Sequence, residues 1–352
     1  MTNSPRYSAD DLASYAVALL EAAGLAHERA RAVAEILVEG DLLGHTTHGL
    51  QLLGQYLKEI DGGSMTLEGE PEVIREHGGA LTWDGRRLPG PWLVLKAMDW
   101  AMAKARGYGT ASVAIRRSHH IAALASFLKR ATDRNMMMLL LSSDANSASV
   151  APFGGTEAVF TPNPIAAGIP TEGRPILIDI SASLVTNALT NRLHREGAKL
   201  PYPWLMDNQG AATTDPAVMF SEPKGSILPV GGLEAGHKGY GLALIVEILT
   251  AGLAGFGRAD PKQGWGATVF LQILDPAAFG GVAAFTRQTE WIAAACRRNP
   301  PRPGFDRVRL PGERGLDLRD RQLKEGVQLH PGIMESLAHW SEKLGVPPPL
   351  AR

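Results

Sequence analysis

The sequence predicts an α/β protein with helices layered on a sheet. Three observations carry this. A run of apolar and small residues, Ala111 to Ile115, reads as a strand and leads into Arg116-Arg117-Ser118-His119-His120. A helical pattern follows from Ala123 to Ala131, and a second apolar run, Met136 to Leu141, suits a strand buried on both faces. Strand, helix, strand in that order is the signature of a layered architecture. The 352 residues are enough for two domains or one large one.

Composition narrows the function. A net charge of −1 gives no reason to expect nucleic acid or an anionic membrane surface as partner. The longest apolar run is far too short to span a bilayer, and Met1 to Asp10 is polar without a signal core, so a cytoplasmic protein is expected. The one cysteine, Cys296, rules out an internal disulfide; its flanks offer no histidine, and it reads as a helix residue.

Along the chain, Ser8 can cap a helix to about Ala23 that turns Leu12, Tyr15, Ala16, Leu19 and Leu20 inward. A second helix runs from about Ala26 to Gly40. Next come His45 and His48, set among glycines and threonines. They read either as a site or as surface histidines of a capping loop; their i, i+3 spacing lacks a nearby carboxylate–histidine partner, so no metal is expected. A short helix reaches about Ile60. Glu70 to Asp84 holds two short strands around Gly78-Gly79, and Pro91 to Ala105 is helical. Ile165 to Ile169 and Ile176 to Ile180 read as strands, and Val185 to Glu196 as a helix. Leu200 to Pro216 is a long loop. Gly236 to about Ala254 is the strongest helix, apolar at Leu242, Ile245, Val246, Leu249 and Leu253. A strand at Thr268 to Leu274, a helix at Gly281 to Arg298, a proline-rich linker and a helix at Gly332 to Leu344 complete the chain.

Two features carry chemistry. His120 stands where a strand-to-helix turn presents side chains to a crevice, and imidazole suits proton transfer near neutral pH. His237-Lys238-Gly239 opens a helix, where free N–H groups, partial positive charge and a glycine suit a phosphate or pyrophosphate; the plainer reading is a solvated lysine at a glycine-bearing helix start. The G-x-G-x-x-G fingerprint of a Rossmann fold is absent. Gly252, Gly255 and Gly257 have the reverse spacing and read as a helix cap.

Taken in order, the motifs resemble the malate/L-lactate dehydrogenase family of the non-Rossmann type, over about residues 8–346. They are the histidine-glycine loop at 44–49, Asp84-Gly85, Ser118-His119-His120, Ala151-Pro152-Phe153-Gly154-Gly155, Asn163-Pro164, Asp179 with Ser183, Leu200-Pro201, His237-Lys238-Gly239-Tyr240-Gly241, Pro311-Gly312-Glu313 and Glu325-Gly326. The family also contains ureidoglycolate and sulfolactate dehydrogenases, 2,3-diketogulonate reductase and Δ1-piperideine-2-carboxylate reductase. The resemblance implies a non-Rossmann NAD(P)-binding α/β domain with a mixed sheet, beside a helical and α+β substrate and dimerisation domain built from both termini. The boundaries expected are 1–118, 119–300, and 301–352 returning to the first part. It further implies a homodimer, and hydride exchange between nicotinamide and a small 2-hydroxy or 2-oxo acid, or a cyclic imino acid.

By the same resemblance His120 is the proton donor and acceptor, with Thr47 (where serine is usual) and His48 at the substrate. Asp144 is a candidate to orient His120. Tyr56 and Arg117 fall on the substrate side. Ser118, Thr161, Asn163, Asp179, Ser181, Ser183, Arg192, His237, Lys238, Gly239, Glu313 and Arg314 fall on cofactor positions. NAD and NADP both stay open. Arg192, His194 and Arg195 could meet a 2′-phosphate, which favours NADP, or form a solvated helix face.

The chain also departs from the family. Leu43 and Leu52 stand where arginines usually help hold the substrate carboxylate, Ala188-Leu189 where Gly-Lys is usual, and Ile121-Ala122 where Phe-Gly is usual. A buried anion without its partner is costly. Either Arg116 or Arg117 takes over the anchor, or the substrate has no free carboxylate (amidated, esterified or absent); the plainer reading of both arginines is solvated surface. Three functions follow: a dehydrogenase or reductase of small 2-oxo or 2-hydroxy acids or their derivatives, a cyclic imine reductase, or a non-catalytic cofactor binder.

Overall fold

The chain is described here by a computed structural model that covers residues 5–352; Met1–Ser4, part of the polar N-terminal stretch, lie outside the described residues. A short strand β1 (Arg6–Tyr7) precedes two packed helices, α1 (Ala9–Ala22) and α2 (His27–Leu42). The periodicity of α1 is realised, since Leu12, Tyr15, Ala16, Leu19 and Leu20 are its buried residues. Ser8 takes the N-cap position without closing the cap through its side chain; Asp10 and Asp11 in the first turn complement the helix dipole instead. Helix α3 (Leu53–Asp61) follows a 3-10 turn at Leu50–Leu52.

Next come β2 (Glu72–His77), β3 (Ala80–Asp84), α4 (Gly90–Tyr108), β4 (Thr110–Ser118), α5 (Ala125–Thr132), β5 (Met137–Ser143), β6 (Pro164–Ile169), β7 (Ile176–Ser181) and α6 (Asn187–Arg195). The segment read as a long loop contains β8 (Leu205–Met206) and β9 (Ala212–Thr213), which form a small sheet with β10 (Ser226–Ile227). Helices α7 (Gly232–Ala235) and α8 (His237–Glu247), strand β11 (Ala267–Leu274), helices α9 (Val282–Arg298) and α10 (Glu313–Glu325), strand β12 (Val327–Gln328) and helix α11 (Ile333–Leu344) complete the order.

The central sheet is mixed, with seven strands in the order β2-β3-β4-β11-β5-β6-β7. Only β3 and β4 pair in parallel, across the α4 crossover that a parallel pair needs. The strand–helix–strand unit at 111–141 is present, but β4 and β5 are not neighbours. The late strand β11 inserts between them, antiparallel to both. Its nearly continuous burial explains why it takes the middle of the sheet.

The largest core joins α1, α2, α4 and α5 to β4, β5 and β11, and extends to Leu316, Val327, Leu329, Ile333 and Leu337 near the C-terminus. β12 pairs with β1 in register, Tyr7 opposite Val327. The helix read as one unit over 236–254 is instead α7, α8 and a π-helical turn at Ile248–Gly252. Ala243 and Val246 are buried, whereas Leu244, Ile245, Ile248 and Leu253 are exposed. The segment is apolar nearly all round, so periodicity alone could not choose its inner face. Helix α10 was not anticipated; its charged sequence carries a weak apolar stripe. Among the described residues no helix is long and apolar enough to cross a membrane.

Candidate active site

β4 runs to Ser118, so the two histidines leave its end together. The end of β4 and the loop that follows are held by backbone bonds to the turn before α4. Gly85 N–H donates to Arg116 O at 2.7 Å, Arg87 N–H to Arg117 O at 2.7 Å, and His119 N–H to Leu88 O at 3.1 Å. Gly90 opens α4 against the histidines: a Cβ there would lie 2.3 Å from His119 O and 2.4 Å from His120 O. Arg117 (φ 50°) and Ala122 (φ 63°) adopt left-handed backbone on either side of the pair, an unfavourable conformation that only surrounding structure can impose.

His120 sits in an aromatic nest. Trp265 stacks on its ring at 4.5 Å between centroids, and His48 lies roughly parallel at 6.0 Å. Tyr56, fully buried on α3, places its hydroxyl 3.0 Å from both His120 Nδ1 and His120 O. Ala122 N–H reaches Nδ1 at 3.2 Å. These contacts occupy Nδ1 and leave Nε2 for a ligand. Burial, reinforced by His48 and His119, lowers the His120 pKa well below the ordinary histidine value. Burial, with His45 and Arg192, lowers His48 to about 4. His119 is fully buried, edge-on to Tyr56 and Trp265; burial and Arg87 lower it to about 3. All three imidazoles are therefore neutral at pH 7.

His48 and His120 border a cavity of about 840 Å³, large enough for a cofactor-sized ligand. Thr47, His48, His120, Asp144, Thr161, Asp179 and Ser181 line it together. Asp179 accepts Ala125 N–H at 2.8 Å, capping α5 from the neighbouring strand, and burial raises its pKa against the opposing effects of His45 and that bond. Thr186, Asn187, Ala188 and Asn191 bring the start of α6 to the wall.

Other expected residues are placed elsewhere. Asp144 does not reach His120: its carboxylate closes a turn, accepting Asn146 N–H at 2.9 Å and Ser147 Oγ at 2.8 Å, and Tyr56 takes the Nδ1 position. Arg117 does not line the cavity. Arg116 and Arg117 each donate through Nε to the buried Asp84 at 2.9 Å, away from the cavity. Burial alone would raise the Asp84 pKa, but Arg117, the Arg86 N–H and Arg116 outweigh it and hold it below the usual carboxylate value. Arg192 donates to Thr46 Oγ1 and Thr46 O at 3.1 Å and to Gln51 Oε1, so it ties α6 to the early histidine loop instead of lining the cavity.

Asn163 is buried between Thr161, the Ala243 carbonyl and Glu247, clamping α8 to β6. Ser118 and Ser183 bond backbone carbonyls. His237 and Lys238 are exposed and off the cavity wall, and α7 directly precedes them, so they do not begin a free helix. Gly239 serves packing: a Cβ would lie 2.3 Å from Val230 N and 2.6 Å from Ala182 O. Glu313 pairs with Arg297 at 2.6 Å, and Arg314 is exposed.

Sequence reasoning missed Trp265, Gln51 and Gln55 on the wall. Trp265 had a signal, a large aromatic between Gly264 and Gly266 just ahead of a buried strand. The glutamines had none, because their surroundings come from remote segments.

The comparisons with known proteins agree with this architecture. The family model described as malate/L-lactate dehydrogenase matches residues 7–338. A malate dehydrogenase of Pyrococcus abyssi is 30% identical over 98% of this chain and 96% of its own length. An L-lactate dehydrogenase of Cupriavidus necator is 32% identical over 91% of this chain and 92% of its own. The solved malate dehydrogenase of Pyrococcus horikoshii superposes with a TM-score of 0.89 at 27% identity, covering 99% of this chain and 98% of that one. Δ1-piperideine-2-carboxylate reductase of Pseudomonas syringae gives 0.82 at 27% identity, covering 95% and 99%. With the mixed sheet, these matches show that the chain belongs to the malate/L-lactate dehydrogenase family and is an oxidoreductase acting on CH–OH groups.

Proposed function

We propose that the protein is an NAD(P)-dependent dehydrogenase or reductase that acts on a small 2-hydroxy or 2-oxo compound, with His120 as proton acceptor and donor. One observation supports this most. His120 alone among the histidines has Nδ1 3.0 Å from a buried tyrosine hydroxyl that donates to the His120 carbonyl, so its oxygen can accept the Nδ1 proton and favour Nε2 as the base at the cavity. When bound, the nicotinamide supplies or accepts the hydride.

In the oxidation direction a neutral His120 takes the hydroxyl proton at Nε2. Its Nδ1–H then donates to the Tyr56 oxygen, whose own proton goes to the His120 carbonyl, so the imidazolium that forms keeps a partner. In reduction the same nitrogen returns the proton. Trp265 covers one face of the ring and keeps water from it. His48, tied to Thr47 Oγ1 at 2.8 Å, offers a second neutral group to the substrate oxygen.

For the cofactor, the hydroxyl and amide side chains of Ser143, Thr161, Ser181, Thr186 and Asn187 suit sugars and phosphates. The first turn of α6 provides backbone N–H groups for a phosphate, a role expected at His237. His194 and Arg195 stay available to a 2′-phosphate, which supports NADP beside NAD. For the homodimer, the exposed apolar row Leu244, Ile245, Ile248 and Leu253 is a candidate face.

The test follows the absorbance of the reduced nicotinamide with NADH or NADPH and a panel of 2-oxo acids and derivatives. His120→Ala should lower kcat by about 10²–10⁴-fold and leave cofactor binding nearly intact. Full retention of the rate would sink the assignment.

A further inference from the structure

The reacting end of the cavity, beside His120, His48 and Trp265, is walled by Gln51, Leu52 and Gln55. It holds little to receive an anion. Among the described residues no lysine lines the cavity, and Arg195, exposed on α6, is its one arginine. The guanidinium groups of Arg116, Arg117 and Arg192 are occupied by Asp84, Thr46 and Gln51. Asp144 and Asp179 add carboxylates to the same wall. A substrate carboxylate at this end would lose its hydration and meet no cation there.

The two glutamines offer a different match. Gln51 Oε1 accepts from Arg192, which leaves its amide N–H groups free. Gln55 Nε2 donates to Glu59 at 2.8 Å, which leaves its Oε1 free as an acceptor. Four residues apart on a helical turn, they share one face, with the apolar Leu52 beside them. One free donor and one free acceptor complement the C=O and N–H of a primary amide.

We infer that the cavity is built for 2-oxo or 2-hydroxy carboxamides in preference to the free acids. Gln51 donates to the amide oxygen, and Gln55 accepts from the amide N–H. The inference rests on the oxidoreductase reading above. In the reaction a 2-oxo carboxamide, the reduced nicotinamide cofactor and one proton give the 2-hydroxy carboxamide and the oxidised cofactor.

The experiment compares kcat/KM of the full-length protein for 2-oxopropanamide, methyl 2-oxopropanoate and 2-oxopropanoate. The amide should exceed the acid at least about tenfold, with the ester between, because an ester accepts but does not donate. Gln55→Leu should bring the amide down to the ester's level, and Leu52→Arg should move the preference toward the acid by about tenfold or more. An acid used as well as the amide, or an amide-to-ester ratio unmoved by Gln55→Leu, overturns the inference and leaves the oxidoreductase reading in place. Reduced-cofactor fluorescence titrated with protein separates the remaining cases. Binding without turnover of any of the three compounds overturns the inference alone, and no binding overturns both.

Discussion

Two clusters three residues apart, one at the end of β4 and one on the loop that follows it, use opposite physics. Arg116 and Arg117 converge on the buried carboxylate of Asp84, a dense knot of charge outside the cavity. His119 and His120 are neutral, packed on Tyr56 and Trp265, and the second of them faces the cavity. The charge fixes the backbone that precedes the histidines; the neutral nest keeps a base ready without a competing ion. The difference keeps both arginines off the cavity wall although they stand three residues from the histidines. A guanidinium fork already matched to a carboxylate gains little by leaving it.

Four substitutions break this contrast, from the largest effect to the smallest. Gly90→Ala presses a methyl group onto the carbonyls of both histidines, where backbone must move. Urea unfolding should show a loss of about 3 kcal/mol, with turnover reduced in the fraction that folds. Asp84→Asn keeps the shape of the knot and removes its charge, for a loss of about 2 kcal/mol at pH 7. The Asp84 pKa is lower in the folded state than its unfolded value of ~3.9. Its stabilisation is therefore present above that value and lost as the pH falls through the folded one. The wild type should lose this contribution in acid, and the unfolding midpoints of the two proteins should converge there.

Tyr56→Phe tests the neutral side. It leaves Ala122 N–H as the partner of Nδ1, which favours the tautomer with the proton on Nε2, the wrong one for a base. For alcohol oxidation kcat should fall about tenfold, roughly 1.4 kcal/mol, with KM little changed. The same measurement in wild type against pH should place the base limb below the ordinary histidine value of ~6.5, as burial of His120 requires.

Asp41→Asn is the gentlest. Burial raises Asp41 to about 7, against the Leu50 N–H bond at 2.7 Å and nearby Arg192. A folded value above the unfolded one means stability fully present below ~4 and lost as the pH rises through about 7. The neutral variant should be more stable than wild type at pH 8 by about 1 kcal/mol, and the gap should shrink by pH 5. A gap that grows in acid contradicts the assignment.

Much was legible in the chain itself. The helix periods of α1 and α4, the paired strands before Asp84, the buried β5 and the histidines at the end of β4 follow from local rules: apolar spacing, glycine punctuation and strand composition. The order of motifs along the sequence was sufficient to indicate the family. What tertiary structure alone decided are the partners. That β11 separates β4 from β5, that Tyr56 and not Asp144 meets His120 Nδ1, that Asp84 holds both arginines and that Trp265 roofs the ring all join segments far apart in sequence. A side chain's period or charge states what it can satisfy. Which group satisfies it depends on which backbone the fold brings within about 3 Å, and that distance is set by long-range packing.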